Sequence, residues 1–325
     1  MTGGAEPILL GAKVLLVVLA SLMGSGHAQP RSQAHRPACF PQPSRCGYPD
    51  ATNTGVPAGT SLRPSGPLTV SDDGATLTGL RITGSVTVDA DDVTIEDSRI
   101  VQPSGGSGSY AVILNKGADG FTIRRSEVLG AAGHGPGLQS AVWNHYDNPG
   151  AAANRVYFHR CADCWEGAGA FHDAYMVVDA AYPGSHDEDI YICGASVNVD
   201  HSTLVNRHSQ TATVFGDAGC GGNRFVVTDS LLAGGGYVLY PQANSDSQTG
   251  SMKVIGNRFA RCATKEVYDR SSGGTSCAQG PDPGGLFPHG GYYGIAAYYY
   301  RGHGHVWRRN VWDDTGRPVC PAGSC

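Results

Sequence analysis

The stretch "SHDEDIYICG", residues 185–194, sets His186 beside Asp187, Glu188 and Asp189, with Tyr191 two positions further, in a chain where only 16% of residues are charged. Three chemistries use such a group. In a glycoside hydrolase one carboxyl protonates the glycosidic oxygen while a second activates water or attacks the sugar, and crowding among three acids raises one pKa as the acid role requires. In a polysaccharide lyase, carboxylates hold Ca²⁺ against a uronate carboxyl and a basic side chain removes the neighbouring proton. His186, His172, Arg207 and Lys253 are the available bases, and Arg207, in "NRHSQ", falls in the same region of the repeat. In the third reading Asp187, Glu188 and Asp189 bind Ca²⁺ or water at a loop and catalyse nothing. The phrase "FHDAY" (171–175) adds His172 and Asp173 shortly before the acidic group, as a catalytic dyad or as a hydrogen-bonded corner.

Other reaction classes find no support. The sequence has no Gly-x-Ser-x-Gly elbow, phosphate-binding loop or His-Glu-x-x-His helix, which leaves serine hydrolase, nucleotide and metalloprotease readings without residues. "GHG" at 302–304 has Asp313 and Asp314 after it rather than paired acids before it, and is read as coincidence. A formal net charge of -5 offers no basic stripe for phosphates, so no nucleic-acid partner is expected.

The elements that must hold these residues repeat. "VTIEDSRI" (93–100) recurs as "FTIRRSEV" (121–128), "VYFHRCAD" (156–163), "VNVDHSTL" (197–204), "FVVTDSLL" (225–232), "MKVIGNRF" (252–259) and "HVWRRNVW" (305–312). Each copy has apolar residues two apart, as a half-buried strand does, then polar residues and a Ser, Asn or Cys at the bend. A second strand signal precedes most copies: "AVILN", "AVWNH", "DIYIC", "TVFGD", "YVLYP", "EVYDR" and "GIAAYYY". Two or three strands per turn of about 27 residues predict an all-β chain, a right-handed parallel β-helix of roughly 8–10 coils, rather than a sandwich or propeller. With 47 glycines and 19 prolines, many short elements joined by turns fit the composition.

A solenoid aligns outward residues of successive coils into columns. If Ile190 points inward with Val142 and Val214, Asp189 and Tyr191 point outward beside Trp143, Thr213 and Phe215. His145 and Asp217 extend that face, and Tyr237, Tyr240, Glu266 and Tyr268 continue it. Aromatic rings stack on sugar faces and planar acids receive hydroxyls, so Trp143, His145, Tyr191, Asp217, Tyr237 and Tyr268 are candidate substrate-binding residues; an ordinary half-exposed strand face in a tyrosine-rich chain is the other reading.

The apolar run after Lys13 ending in "SGHA" reads as a signal peptide cleaved after Ala28, which predicts a secreted, extracellular protein. The run is shorter than the ~20 residues of a bilayer span, so no membrane association is expected after cleavage. Ten cysteines, all after the signal, read as a disulfide framework, with Cys39–Cys46 and Cys320–Cys325 tying down the two ends. "CADC" (161–164) has no second Cys-x-x-Cys at zinc-ribbon spacing and is read as structural. The expected organisation is a signal peptide (1–28), an N-terminal extension and cap (29–66), the β-helix (67–312) and a C-terminal tail (313–325) that caps the other end. A monomer is expected.

The repeat, the signal, "CGYPDATNTGVPAG" (46–59), "SLLAGGGYVLYP" (230–241) and "NVWDDTGRPV" (310–319) resemble bacterial secreted right-handed parallel β-helix proteins of the pectate-lyase-like kind. That architecture hosts lyases, hydrolases, esterases and proteins without activity. In many relatives the segment matching 186–191 reads His-x-Asp-Gly-Ile/Val-Gln; here it is His186-Asp187-Glu188-Asp189-Ile190-Tyr191, with Asp for the Gly and Tyr for the Gln. The resemblance implies an enzyme acting on an extracellular polysaccharide, a lyase ahead of a hydrolase, with the acids at 187–189 as metal or acid residues and His186, His172 or Arg207 as base or charge stabiliser. A non-catalytic carbohydrate-binding protein or a cell-surface structural solenoid is the alternative.

Overall fold

Short runs such as Val86–Val88 and Thr94–Glu96 alternate buried with half-buried residues, and a left-handed residue soon after each redirects the chain. Repetition of that unit builds a right-handed parallel β-helix, seen in a computed structural model that describes residues 38–131, 136–208, 211–217, 219–220, 222–241, 251–261, 294–297 and 304–321. Three sheets form its walls. Sheet A has ten strands, from Arg63–Ser65 to Val311–Trp312; sheet B has nine, from Leu68–Val70 to Gly294–Ala296; sheet C has nine, from Thr76–Thr78 to Val306–Arg308. Neighbouring strands within each sheet are parallel, so one column of side chains continues from coil to coil. The column Val112, Val142, Trp165, Ile190, Val214 and Leu239 of sheet B is wholly buried. Each such side chain contributes roughly 1.5–3 kcal/mol relative to exposure. No helix among the described residues is long and apolar enough to cross a membrane.

The corner from sheet C to sheet A explains the repeat. Asp97, Arg125, Arg155, Asp173, His201, Asp229, Gly256 and Arg309 all have positive φ there, at successive intervals of 28, 30, 18, 28, 28, 27 and 53 residues. One left-handed residue turns the chain sharply, at a cost of about 1 kcal/mol for a side chain other than glycine. The following residue points inward and makes the compensating bonds. The Ser98 N–H donates to Ser126 Oγ (3.1 Å), Ser202 N–H to Ser230 Oγ (3.0 Å), Ser230 N–H to Asn257 Oδ1 (2.9 Å) and Asn257 N–H to Asn310 Oδ1 (3.0 Å). These residues are almost completely buried, so the polar ladder satisfies itself inside the core.

One copy of the repeat is corrected by this geometry. "VYFHRCAD" places a bend at Cys161, whereas the corner is Arg155–Val156, and another follows 18 residues later at Asp173–Ala174. Val156 and Ala174 stand where other corners carry Ser or Asn, so the pattern hides one rung. Cys161 instead opens a sheet B strand, Cys161–Gly167.

The N-terminal extension also differs from expectation. It lies along the outside of sheet A rather than over an end. Phe40 N–H donates to Asp313 Oδ2 (2.8 Å), Tyr48 stacks on His201 (5.5 Å between centroids) and Gly55 N–H donates to Arg155 O (3.0 Å), so the segment passes several coils. The reason is apolar. Val177, Val205, Leu231, Ala233 and Ala260 form a cluster there, and Cys39 and Phe40 cover it. The described part of the tail folds over the last coil: Val319 joins the main core, Trp307 Nε1–H donates to Val319 O (2.7 Å) and Val311 bridges Pro318. Cys39–Cys46 and Cys193–Cys220 are bridged, and Cys320 is disulfide-bonded. Cys262, Cys277 and Cys325 lie outside the described residues.

Candidate active site

Two columns of sheet B face outward, three residues apart along each strand. The first runs through Ser140, Asp163, Glu188, Ala212 and Tyr237; the second through Trp143, Glu166, Tyr191, Phe215 and Tyr240. A spacing of three departs from the two-residue alternation of a flat strand because two consecutive residues between the columns turn into the core. Ile190 is one of them and Asp189 is the other.

Asp189 therefore corrects the outward placement expected for it. It is completely buried, and the backbone N–H groups of Val205 and Val178, on sheet A strands, are the polar groups nearest its carboxyl. Burial pushes its pKa well up and those N–H groups oppose the rise, although neither oxygen completes a well-aligned hydrogen bond. Asp187 faces a third environment. Ser185 Oγ–H donates to its Oδ1 (2.7 Å), His208 Nδ1 lies 3.6 Å from its Oδ2, and burial raises its pKa to about 7. Asp187, Glu188 and Asp189 thus point to different sides of one strand and do not fit a shared Ca²⁺. Among the described residues no three His, Cys, Asp or Glu side chains converge as metal ligands.

What the fold does bring together is Glu188 with two acids from the preceding rung, Asp163 and Glu166. Glu188 N–H donates to Asp163 Oδ1 (3.1 Å), and the two carboxyls titrate together. Burial pushes Asp163 well above the usual carboxylate range, and the neighbouring Glu188 pushes it further. Glu188, with no accessible surface, is raised to about 7 by burial, against the hydrogen-bonding influence of Asp163 and Thr211. Both its carboxylate oxygens lack a well-aligned partner. Glu166 is raised by burial too, but Ser140 Oγ–H donates to its Oε1 and draws the value back. His186 joins the group from the edge, its Nδ1 3.2 Å from Thr211 Oγ1 and 4.0 Å from Glu188 Oε1.

Aromatic side chains flank this row along the solenoid axis. On one side Tyr110 stacks on Trp143 (4.6 Å), Trp143 on His145 (4.9 Å), and Tyr146 stands edge-on to His145 (5.5 Å). On the other, Tyr191, Phe215 and Tyr240 follow at 5.7 and 5.0 Å, with Tyr237 edge-on to Tyr240 at 5.8 Å. Tyr191 O–H donates to Asp217 Oδ2 (2.7 Å), which fixes its ring. Tyr182, in the segment 179–186, lies near these acids. The phenol of Tyr182 is pushed up to about 12 by burial and by nearby Asp163 and Glu166.

The other candidates are elsewhere. His172 sits at the corner between sheets C and A, its Nδ1 2.9 Å from Asp200 and its Nε2 3.6 Å from Asp173, which also pairs with His201 (2.6 Å) and Arg155 (3.2 Å). It belongs to a hydrogen-bonded corner, not to the acidic row. Arg207 influences Tyr157 and Tyr175, on sheet A, and Lys253 lies on sheet C. Tyr268 and Glu266 fall outside the described residues. Asp163 and Glu166 escaped the sequence reading because "CADCWEG" draws attention to its cysteines; Cys161 and Cys164 are buried and free, with sulfurs 2.6 Å apart, and so do not join the expected disulfide framework. A signal was present in the long interval between Ser126 and Ser202, which has room for two extra corners and hence an extra sheet B strand. No known protein family, curated protein or solved structure matches this chain.

Proposed function

We propose that the protein is a secreted glycoside hydrolase that cleaves a neutral extracellular polysaccharide lying along the outer face of sheet B. The observation that carries this reading is the row Asp163, Glu166 and Glu188: three carboxyl groups on two adjacent coils, all with raised pKa values, between two aromatic tracts. Burial raises Glu188 to about 7 and, with the neighbouring Glu188, holds Asp163 well above the usual carboxylate range, so the two resist joint ionisation and this pair supplies the acid that protonates the glycosidic oxygen. Glu166, whose charge the Ser140 hydroxyl supports, is the carboxylate that activates water or attacks the anomeric carbon. The stacked Tyr110–Trp143–His145 group and the Tyr191–Phe215–Tyr240 group hold sugar rings on either side.

A neutral chain suits this face. A uronate would bring a further carboxylate beside four acids with raised pKa values, and like charges in a poorly solvated site repel strongly. Entry requires the segment 179–186 to move aside. Its described tethers include Arg160 N–H to Asp179 Oδ1 (2.6 Å), Gly137 N–H to Ala181 O (3.3 Å), Ser185 Oγ–H to Asp187 Oδ1 (2.7 Å) and His186 Nδ1 to Thr211 Oγ1 (3.2 Å).

The test is a panel of neutral and acidic polysaccharides, with new reducing ends and the ultraviolet absorbance of unsaturated ends followed together. New reducing ends on a neutral polymer, without absorbance, are expected, with losses on the order of 100-fold or more in Glu188→Gln and Glu166→Gln. Unsaturated ends would make the protein a lyase. Binding without turnover would leave the carbohydrate-binding alternative standing.

A further inference from the structure

The outer face of sheet C carries the opposite chemistry. A cleft of about 620 Å³ crosses its strands there, bordered by Ser196, Asn198, Arg224, Ser251 and Lys253. No acidic side chain is among its described lining residues. In the ladder Arg224 pairs with Ser196 on one side and Ser251 on the other, while Lys253 pairs with Val226, so the two cations are diagonal neighbours. Diagonal positions on adjacent strands are about 7–8 Å apart at the backbone. Arg308, diagonal to Lys253 on the next strand, continues the positive charge. All three are exposed. Among the described residues neither Arg224 nor Lys253 forms an ion pair or a side-chain hydrogen bond, although other surface arginines, such as Arg124, Arg125 and Arg155, are paired with acids.

We propose that this cleft binds an anionic glycan through its carboxylate or sulfate groups. Arg224 offers a planar fork to an oxyanion, Lys253 offers a point charge on the adjacent coil, and the hydroxyls and amide of Ser196, Ser251 and Asn198 match sugar hydroxyls. Strands advance along the axis one coil at a time, so a linear polymer meets Arg224, Lys253 and Arg308 in succession. Nucleic acid fits less well. The ring lining the cleft is Phe225, which is turned into the core and buried, so no stacking platform for bases faces outward, and the whole chain is net acidic at -5. The site lies on a different sheet from the acidic row and takes an anionic rather than a neutral ligand, so it stands or falls independently of the hydrolase reading.

The test is calorimetric titration of the mature protein with four probes: an oligogalacturonate, a heparin-derived sulfated oligosaccharide, an uncharged cello-oligosaccharide and a single-stranded oligodeoxynucleotide of matched charge. At least one of the two anionic oligosaccharides is expected to bind, more weakly as salt rises. The affinity should fall about 10-fold in Arg224→Gln or Lys253→Gln and further in the double variant, with Glu188→Gln without effect. Thermal melting of each variant confirms that it is folded, as substitution of exposed side chains predicts. Which anionic probe binds distinguishes a uronate site from a sulfate site. Failure of both to bind at low salt, unchanged affinity in the double variant, or tighter binding of the oligodeoxynucleotide would overturn the proposal.

Discussion

The corner between sheets C and A and the outer face of sheet B both collect polar and acidic side chains on successive coils, yet the two regions treat them in opposite ways. At the corner Asp97 and Asp173 have partners of opposite charge. Asp97 takes two hydrogen bonds from Arg125 (2.7 and 2.9 Å), Asp173 holds His201 and Arg155, and the pKa values of both acids are lowered, through the Arg125 hydrogen bond at Asp97 and through the His201 and Arg155 bonds, against burial, at Asp173. On sheet B the acids face one another, their pKa values are raised and Glu188 has no well-aligned partner for either oxygen. The corner uses its polar groups to hold the fold. Sheet B keeps its acids at a cost to stability, which is the usual mark of a site retained for chemistry.

The largest effect that tests this contrast belongs to the internal ladder. Asn257 receives Ser230 N–H at its Oδ1 and donates from Nδ2 to Val227 O (2.8 Å), while its own N–H reaches Asn310. Asn257→Ala strands a buried donor and a buried acceptor, which predicts a loss of roughly 3 kcal/mol. Denaturant unfolding measures it. A loss under about 1 kcal/mol would mean that the ladder is not what stabilises the corner.

At sheet B the sign reverses. Glu188 keeps its proton in the folded state up to about pH 7, while in the unfolded chain it ionises around its ordinary value of 4.5. The folded state is therefore penalised progressively as pH rises between those values, and the penalty is constant above them. Glu188→Gln should raise stability at pH 8 by up to about 3 kcal/mol, and the advantage should vanish toward pH 4. Matched unfolding curves of the two proteins at both pH values read this directly. An amide variant that is less stable at pH 8 would place Glu188 among the structural residues and remove the distinction between the two regions.

The legibility of the sequence divides along the same line. Strands and corners were readable because Ile95, Ile123, Val199, Val227 and Val254 repeat one local pattern whose burial and turning are decided within a few residues. The candidate site was half readable. Glu188 stood out by composition, but its partners Asp163 and Glu166 lie 25 and 22 residues earlier, joined to it only by strand register. Register depends on where corners fall, and Val156 and Ala174, which lack the hydroxyl or amide of the other corners, concealed two of them. Asp189 was misplaced for a related reason: two consecutive inward residues break the alternation on which a sequence-based prediction of facing depends.

Arg125 provides the finest discrimination, because its interactions are numerous and its expected contribution small. It donates to Asp97 and to Glu96 (3.0 Å), yet the side chain is 37% exposed, and solvent-screened ion pairs contribute about 0.2–1 kcal/mol. Arg125→Gln should cost less than about 1 kcal/mol at neutral pH. Asp97 has a lowered folded pKa, so its contribution is present above the unfolded value of 3.8 and lost as pH falls through the folded value, which is the reverse of Glu188. Arg125 also occupies a left-handed position with φ 45, where glycine relieves about 1 kcal/mol of strain. Arg125→Gly should then be closer to neutral than Arg125→Gln, even though it removes the same charge. Thermal melting at neutral and acid pH separates the two terms: a loss well above about 1 kcal/mol in both variants at neutral pH that shrinks in acid would show that the charge ladder, rather than the buried Ser and Asn residues behind it, carries the corner.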